Sequence, residues 1–425
     1  MDSIKKFFKY TKEDSLIRDS FILFIATMTM NLGAFLYHFV MGRMLGPADY
    51  GILGVVLTLL YVLLVPHYVI QTSISKFVAS FKAKKNYEKI SNLFVRSTKK
   101  ILFASVLLFI ILVAVSYFLA DFLRIPVGVV WIVAFAIPFV LLVPVARGML
   151  QGLQTFKTLG VNFVSEAFAK FLFGLALVFV GFGVFGAVFG ITAAYITSFA
   201  LGYFVLRKYF KKTKSLVDSK SVYKYSWPVF LALLTLTLFY SLDVMLVKHY
   251  FDAVQSGFYA AFAILGRIAF FASFSLVFVL FPKAVEAHAL GKPNINLLKK
   301  SLLLVTIVSG GVFLVYLLFP KLVVLVLFGK QYLEITKYIA PFALIMTLFS
   351  YVYVLSFYNL SVNRVGFVYG LFLLNILEVL SIVLFHETFV QIIFGLGILI
   401  TLTLVFMLFY TFSKNGKIIS YNSGI

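Results

Sequence analysis

The sequence predicts an all-α integral membrane protein with twelve transmembrane helices. Three observations lead there: a scarcity of charge, apolar blocks of bilayer length, and Lys and Arg sorted between alternate connections. Only 12% of the 425 residues are charged and 62% are hydrophobic. A water-soluble domain carries about 25% charged residues, so this chain cannot cover itself with water-facing groups. It needs a lipid-facing surface.

The blocks come next. A helix needs about 20 apolar residues to cross the hydrocarbon core. Blocks of that kind lie at 20–41, 51–71, 101–120, 126–146, 162–180, 184–206, 227–247, 258–281, 301–320, 339–358, 365–385 and 388–410. They are numbered here as spans 1 to 12. Barrel strands would alternate apolar and polar residues over only about 10 positions, and these blocks do not alternate. The N-terminal 20 residues carry charges throughout and have no small-residue cleavage site behind an apolar stretch, so they do not read as a signal peptide. With no cysteine, disulfides, thiolate nucleophiles and cysteine metal sites are excluded.

The charges then orient the chain. There are 37 Lys and Arg against 15 Asp and Glu. In a soluble protein that excess suggests nucleic-acid binding; here it follows the positive-inside rule, and no nucleic-acid partner is expected. The segments before span 1, at 72–100, at 207–226 and at 282–300 are rich in Lys and Arg, and twelve spans put all of them on one side. That side holds 29 positive residues; the other holds 6 (Arg43, Arg124, Lys248, Lys321, Lys330, Lys337), and Lys170 and Arg267 fall within spans. Both termini are therefore expected in the cytoplasm of a cell bounded by this membrane.

The basic segment 207–226 divides the chain into halves of six spans, an N-lobe at 1–212 and a C-lobe at 213–425. The halves resemble each other at an offset of about 206 positions. Gly51 aligns with Gly257, Ser75-Lys76 with Pro282-Lys283, Lys99-Lys100 with Lys299-Lys300, and the segment from Gln151-Gly152 to Lys157 with that from Tyr358-Asn359 to Arg364. An even number of spans per half makes the repeats parallel, related by a pseudo-two-fold along the membrane normal. Such lobes can rock to open a central cleft to either side in turn.

Four stretches carry a family resemblance. Gly42-Arg43-Met44-Leu45-Gly46-Pro47-Ala48-Asp49-Tyr50-Gly51 resembles the segment after the first helix of prokaryotic polysaccharide and oligosaccharide flippases. Ser241-Leu242-Asp243-Val244-Met245-Leu246, followed by Gly257-Phe258-Tyr259-Ala260-Ala261, is similar to that family's seventh and eighth helices. Gln151-Gly152-Leu153-Gln154-Thr155-Phe156 and Leu327-Phe328-Gly329-Lys330-Gln331-Tyr332 resemble its fourth-to-fifth and ninth-to-tenth connections. The family belongs to the multidrug/oligosaccharidyl-lipid/polysaccharide exporter superfamily. The resemblance implies two lobes about a cavity and a sugar chain on a polyprenyl phosphate or diphosphate as substrate. It also implies membrane lipid as surroundings and glycan-assembly enzymes as possible partners. A proton- or sodium-coupled multidrug-type exporter is the alternative.

Ionisable groups within spans cost a few kcal/mol at the bilayer centre and therefore mark function or pairing. Asn162, Glu166 and Lys170 form one stripe on span 5, either a Glu166–Lys170 ion pair or a cavity lining with Glu166 as an ion site. Thr27, Asn31 and His38 share a stripe on span 1, where a histidine can respond to pH or simply pack. Asp243 lies in span 7 beside Thr237, Tyr240 and Ser241, and a carboxylate among hydroxyls can take a proton or sodium. It can equally brace Arg267 or Lys248. Arg267, with Tyr259 two turns before it, has the fork geometry for a phosphate or a salt bridge to Asp243 or Glu378. Asn375 and Glu378 share a face of span 11, and Arg43 opens the first extracytoplasmic loop. Arg43, Arg267, Asn31, His38, Tyr259 and Lys170 are thus the candidates for substrate binding, and Asp243, Glu166 and Glu378 for ion coupling.

Enzyme signals are missing. No Gly-rich phosphate loop precedes a lysine and the five histidines are scattered, so no cofactor is expected beyond a coupling proton or sodium ion. A membrane glycosyltransferase would need a sizeable extramembrane catalytic loop, and the longest connections here are short and basic. A twelve-span major-facilitator transporter would carry Asp-Arg-x-Gly-Arg-Arg between spans 2 and 3, where this chain has Ser75-Lys76-Phe77-Val78-Ala79-Ser80-Phe81-Lys82. Because the chain has no native cysteine, Ser215→Cys gives a clean test of orientation. An impermeant maleimide added outside intact cells should leave that cysteine unlabelled; rapid labelling would invert the topology.

Overall fold

The computed structural model describes residues 15–210, 219–289, 295–362 and 364–413, and all of its regular structure among them is helical. Ten helical segments among these residues are long and apolar enough to cross a membrane. Two of the ten are double. Ser15–Ala83 is far longer than one crossing needs, and it breaks at Gly46 (φ 72°, ψ 175°). Gly46 supplies the backbone that L-residues avoid, and Pro47 restarts the helix, its missing N–H costing nothing in a first turn. The other double segment breaks at Gly181 (φ 100°), between Phe156–Leu177 and Gly183–Leu206. Twelve spans result, in agreement with the hydropathy.

The chain is inside-out relative to a soluble protein. Phe179 is 82% exposed, and Phe103, Phe118 and Phe394 are also well exposed. Polar side chains such as Asn162, Ser198, Asp243 and Glu378 are buried instead. Within hydrocarbon the backbone must satisfy its own hydrogen bonds, and the long helices do this.

The helices overrun their apolar blocks. The basic segment 72–100, read above as a connection, is nearly all helix: span 2 continues to Ala83 and span 3 starts at Tyr87. The turn between them is held by Asn86, whose side chain caps Lys89 N–H at 3.1 Å. Arg43, expected to open a loop, also lies in helix, three residues before the Gly46 break. Hydropathy measures depth in the bilayer, whereas a helix ends where a cap or a breaker stops it. Residues 211–218, which hold Ser215 and the expected lobe boundary at 212/213, lie outside the described residues.

The chain forms two compact units. Unit 1 comprises Met1–Leu45 and Leu63–Ser226, and unit 2 comprises Gly46–Val62 and Trp227–Ile425. Each packs in the same internal order. In unit 1 span 3 lies against span 4, span 4 against span 6 and span 5 against span 6; in unit 2 span 9 lies against span 10, span 10 against span 12 and span 11 against span 12. The repeat is thus visible in which helices neighbour which.

Small residues allow the closest approaches. In unit 2 a Cβ on Gly51 would meet Gly257 Cα at 3.0 Å, one on Gly54 would press on Ala260, and one on Gly257 would overlap the Pro47 carbonyl. Gly51 and Gly257 are equivalents in the repeat, so the early part of span 2 packs on its own counterpart in span 8. Small-residue contacts of this kind are how helices associate in lipid. Gly257→Ala should therefore destabilise the protein by about 1–3 kcal/mol or more, as overpacking does. The check is the thermal midpoint of purified protein, compared with Gly310→Ala, where a new Cβ meets nothing within 4 Å.

Candidate functional site

Each unit buries a cluster of ionisable side chains. In unit 1 the organiser is Arg147, on the long span-4 helix Val127–Gly152. It is only 4% exposed. Its Nε donates to Asn162 Oδ1 at 2.8 Å, and its Nη2 donates to Glu166 Oε2 at 2.6 Å and to Ser198 Oγ at 3.0 Å. Ser198 Oγ donates in turn to Asn162 Oδ1, and Asn162 Nδ2 donates to the Ser198 carbonyl. Spans 4, 5 and 6 are thereby tied by one guanidinium, whose planar fork suits several acceptors at once.

This corrects the sequence reading of span 5. Glu166 pairs with Arg147 rather than with Lys170. The Lys170 ammonium instead lies 4.5 Å from the centroid of the Tyr37 ring, a cation–π contact. Tyr37 itself donates to the Ala187 carbonyl. Arg147 was missed because the apolar block of span 4 ends at 146, which left it counted among the loop charges. Nothing in the local sequence marks it, because the helix runs on through Pro144 and Gly148 to Gly152.

Along span 1, His38 is buried while Asn31 and Arg43 are exposed. Thr27 spends its hydroxyl on the Leu23 carbonyl at 2.8 Å. His67 of span 2 is a further buried polar group, donating through Nδ1 to the Val140 carbonyl at 3.1 Å.

In unit 2 the organiser is Asp243. Span 7 is discontinuous, formed by Ser219–Leu238 and Leu242–Tyr250. Asp243 stands in the first turn of the second piece, where the helix dipole favours an anion. It is 1% exposed. Arg267 Nη2 donates to its Oδ1 at 2.7 Å, and the Tyr259 hydroxyl donates to its Oδ2 at 3.1 Å. Both donors come from span 8, Ala253–Ala289, two turns apart and therefore on one face. Of the partners open to Arg267 in the sequence, Asp243 is the one it takes. Lys248, counted above as a loop charge, is buried and donates to Ser256 Oγ at 3.2 Å.

Glu378 completes this cluster. It lies on the span-11 helix Phe367–Leu384, which packs against the second piece of span 7, and it experiences the charges of both Asp243 and Arg267. Neither of its carboxylate oxygens has a hydrogen-bond partner among the described residues. Asn375 Oδ1, about one turn earlier, and Ser241 Oγ, two residues before Asp243, are likewise buried and unpartnered. Four oxygens from spans 7 and 11, together with Arg267 Nε from span 8, are thus buried without a hydrogen-bond partner among the described residues. With both carboxylates ionised, Asp243, Glu378 and Arg267 sum to one negative charge. An uncompensated charge of that kind in a dry interior is very costly, and hydroxyl, amide and carboxylate oxygens are the ligands that hard cations prefer. A proton on Glu378 or a sodium ion would balance the cluster.

The architecture is that of a multi-pass helical membrane protein. An inward-facing multidrug resistance MATE family transporter of the MOP superfamily has the same fold, with a TM-score of 0.71 at 13% identity over 88% of this chain and 94% of that one. The lipid II flippase MurJ matches with a TM-score of 0.68 at 12% identity, over 92% of this chain and 87% of that chain. A MOP superfamily transporter from Pyrococcus furiosus, described as having a binding pocket of reverse polarity, matches at 0.61 and 15% identity over 93% and 95%. By sequence, an uncharacterized membrane protein of Methanocaldococcus jannaschii is 24% identical over 330 residues, covering 74% of this chain and 77% of that protein. Residues 16–288 match the family described as polysaccharide biosynthesis protein, and the chain belongs to that family.

The Asp243–Arg267 pair is expected to be strongly coupled. Asp243→Asn strands a buried guanidinium, which should cost about 3–5 kcal/mol, whereas Asp243→Asn combined with Arg267→Met removes both charges and should recover much of that loss. Thermal midpoints of the two single variants and the double variant measure this coupling; additive losses would mean the two side chains act independently.

Proposed function

We propose that this protein is a flippase that carries a polyprenyl-(di)phosphate-linked oligosaccharide across the cytoplasmic membrane by alternating access, driven by a proton or sodium gradient. The observation that carries the reading is membership of the polysaccharide biosynthesis family over residues 16–288, on a fold shared with a lipid II flippase. A chain of this kind performs no bond-making step: its work is binding, release and reorientation. The termini face the cytoplasm, as the sorting of positive residues requires.

In this reading the unit 2 cluster is the ion-responsive element. Glu378 and Asp243 take up a proton or sodium ion among the orphaned oxygens of Ser241 and Asn375. Ion binding removes the residual negative charge around Arg267 and changes how tightly spans 7, 8 and 11 hold together. A gradient can drive a conformational cycle only through such a difference in affinity between its states. Arg267 and Tyr259 act through Asp243, which fixes them by hydrogen bonds. On span 1, the exposed side chains of Asn31 and Arg43 meet the anionic headgroup and its sugars in this reading. His38 and Lys170 support that face from within unit 1, and Glu166 holds Arg147.

The test is flipping in proteoliposomes whose bilayer holds a lipid-linked oligosaccharide, read as inner-leaflet sugar that becomes accessible to an impermeant lectin outside. The wild type should accelerate exposure over protein-free vesicles, and more so under an imposed proton or sodium gradient. Glu378→Gln should abolish the response to the gradient while the protein remains folded. Organic-cation export without oligosaccharide movement would establish the multidrug-type reading instead.

A further inference from the structure

Unit 2 contains a cavity that neither the ionisable cluster nor the proposed cycle uses. Its volume is about 490 Å³, within the range of about 300–1,000 Å³ typical of small-molecule sites. Three connections build it: those between spans 7 and 8, between spans 9 and 10, and between spans 11 and 12. Charge sorting places all three on the extracytoplasmic side.

Its apolar wall is aromatic. Phe251, Phe258, Tyr338 and Phe389 contribute rings. Phe389 is the hub, with its ring centroid 4.9 Å from Phe251, 5.5 Å from Tyr338 and 5.7 Å from the Tyr259 ring beneath. These contacts hold the ring faces in place.

The polar wall comes from Gln255, Glu334, Lys337 and Glu387, all of them exposed. Glu387 is held by the start of span 12. Gln391 Oε1 accepts from its backbone N–H at 2.9 Å, and Gln391 Nε2 donates to its Oε2 at 3.4 Å. The same glutamine closes a capping box with Thr388. The Lys337 ammonium lies 5.0 Å from the Tyr338 ring centroid. Carboxylates accept hydrogen bonds, the ammonium donates them, and the Gln255 amide does both.

We propose that this cavity is a carbohydrate-binding site on the extracytoplasmic end of unit 2, which takes pyranose rings of the exported glycan. The inference rests on the flippase reading for its biological substrate, while the binding chemistry stands on the cavity itself. One face of a pyranose presents C–H groups, whose positive edge meets the negative face of an aromatic ring. Its rim presents hydroxyls that both donate and accept, which a mixed wall of carboxylate, amide and ammonium can satisfy together. A metal ion would want a full shell of converging oxygens, which a wall half built of rings does not supply. A hydrophobic ligand would leave the polar wall without partners.

A site here acts as a ratchet. Sugar held outside is slower to follow its lipid back across the membrane, so binding at this end favours completion of transfer. The site also joins the ion-responsive cluster directly, because Phe389 touches Tyr259 and Tyr259 donates to Asp243.

The experiment uses full-length protein in nanodiscs and lipid-free probes, namely maltose, cellobiose and N,N′-diacetylchitobiose, with sorbitol as an acyclic polyol control. Saturation-transfer NMR should show transfer to ring C–H protons of at least one disaccharide at three times the sorbitol level or more. The rim double variant Glu334→Gln with Glu387→Gln, and separately Tyr338→Ala, should reduce it to the sorbitol level, with thermal midpoints confirming that each variant is folded. No disaccharide rising above sorbitol, or full signal retained in both folded variants, overturns the proposal. Proteoliposome transport separates the two readings. Transport without disaccharide binding sinks this site alone, and binding without transport sinks the flippase reading alone.

Discussion

An ion in hydrocarbon must be neutralised where it stands, because no water is present to share its charge. That constraint shapes both units. Arg147 in unit 1 and Arg267 in unit 2 are each almost fully buried, and each has a carboxylate within 2.7 Å. The helices that carry these groups cannot rotate or slide without breaking the pairs. Each guanidinium therefore fixes the rotational setting of several spans, in a medium where apolar packing alone discriminates poorly between settings.

The two clusters solve the problem differently. Around Arg147 the donors and acceptors are matched: one carboxylate, one amide and one hydroxyl receive its hydrogen bonds. Around Arg267 they are not. Arg267 pairs with Asp243 alone, and its Nε and the oxygens of Glu378, Asn375 and Ser241 have no hydrogen-bond partner among the described residues. A balanced network holds a structure together; the unbalanced one is the place where the proposed cycle adds a proton or a cation. The break in span 7 adds to the contrast, since it places Asp243 at a helix start where its backbone surroundings favour negative charge.

Glycine plays the complementary part. Gly46 and Gly181 adopt backbone conformations that other residues avoid, and both divide long helical stretches into separate crossings. Gly51 and Gly257 have a different use, because their missing side chains let two helical segments touch. These two glycines occupy equivalent places in the repeat, so one duplicated feature serves as both halves of a contact.

Much of the fold was legible in the chain itself. Hydropathy is local and additive, so twelve spans, their order and the lipid-facing phenylalanines follow from composition along the sequence. The repeat was legible from a nearly constant offset, and the candidate ionisable positions from their rarity within apolar blocks. Pairing was not legible. Glu166 could reach Lys170 by helical spacing, yet it meets Arg147, nineteen positions earlier, because spans 4 and 5 turn those faces together. Arg147 and Lys248 looked like loop charges because an apolar block ends before its helix does. The orphaned oxygens beside Asp243 and the aromatic cavity depend on side chains from connections and spans far apart in the chain. Their meeting is set by helix rotation and packing, which periodicity along one helix does not encode.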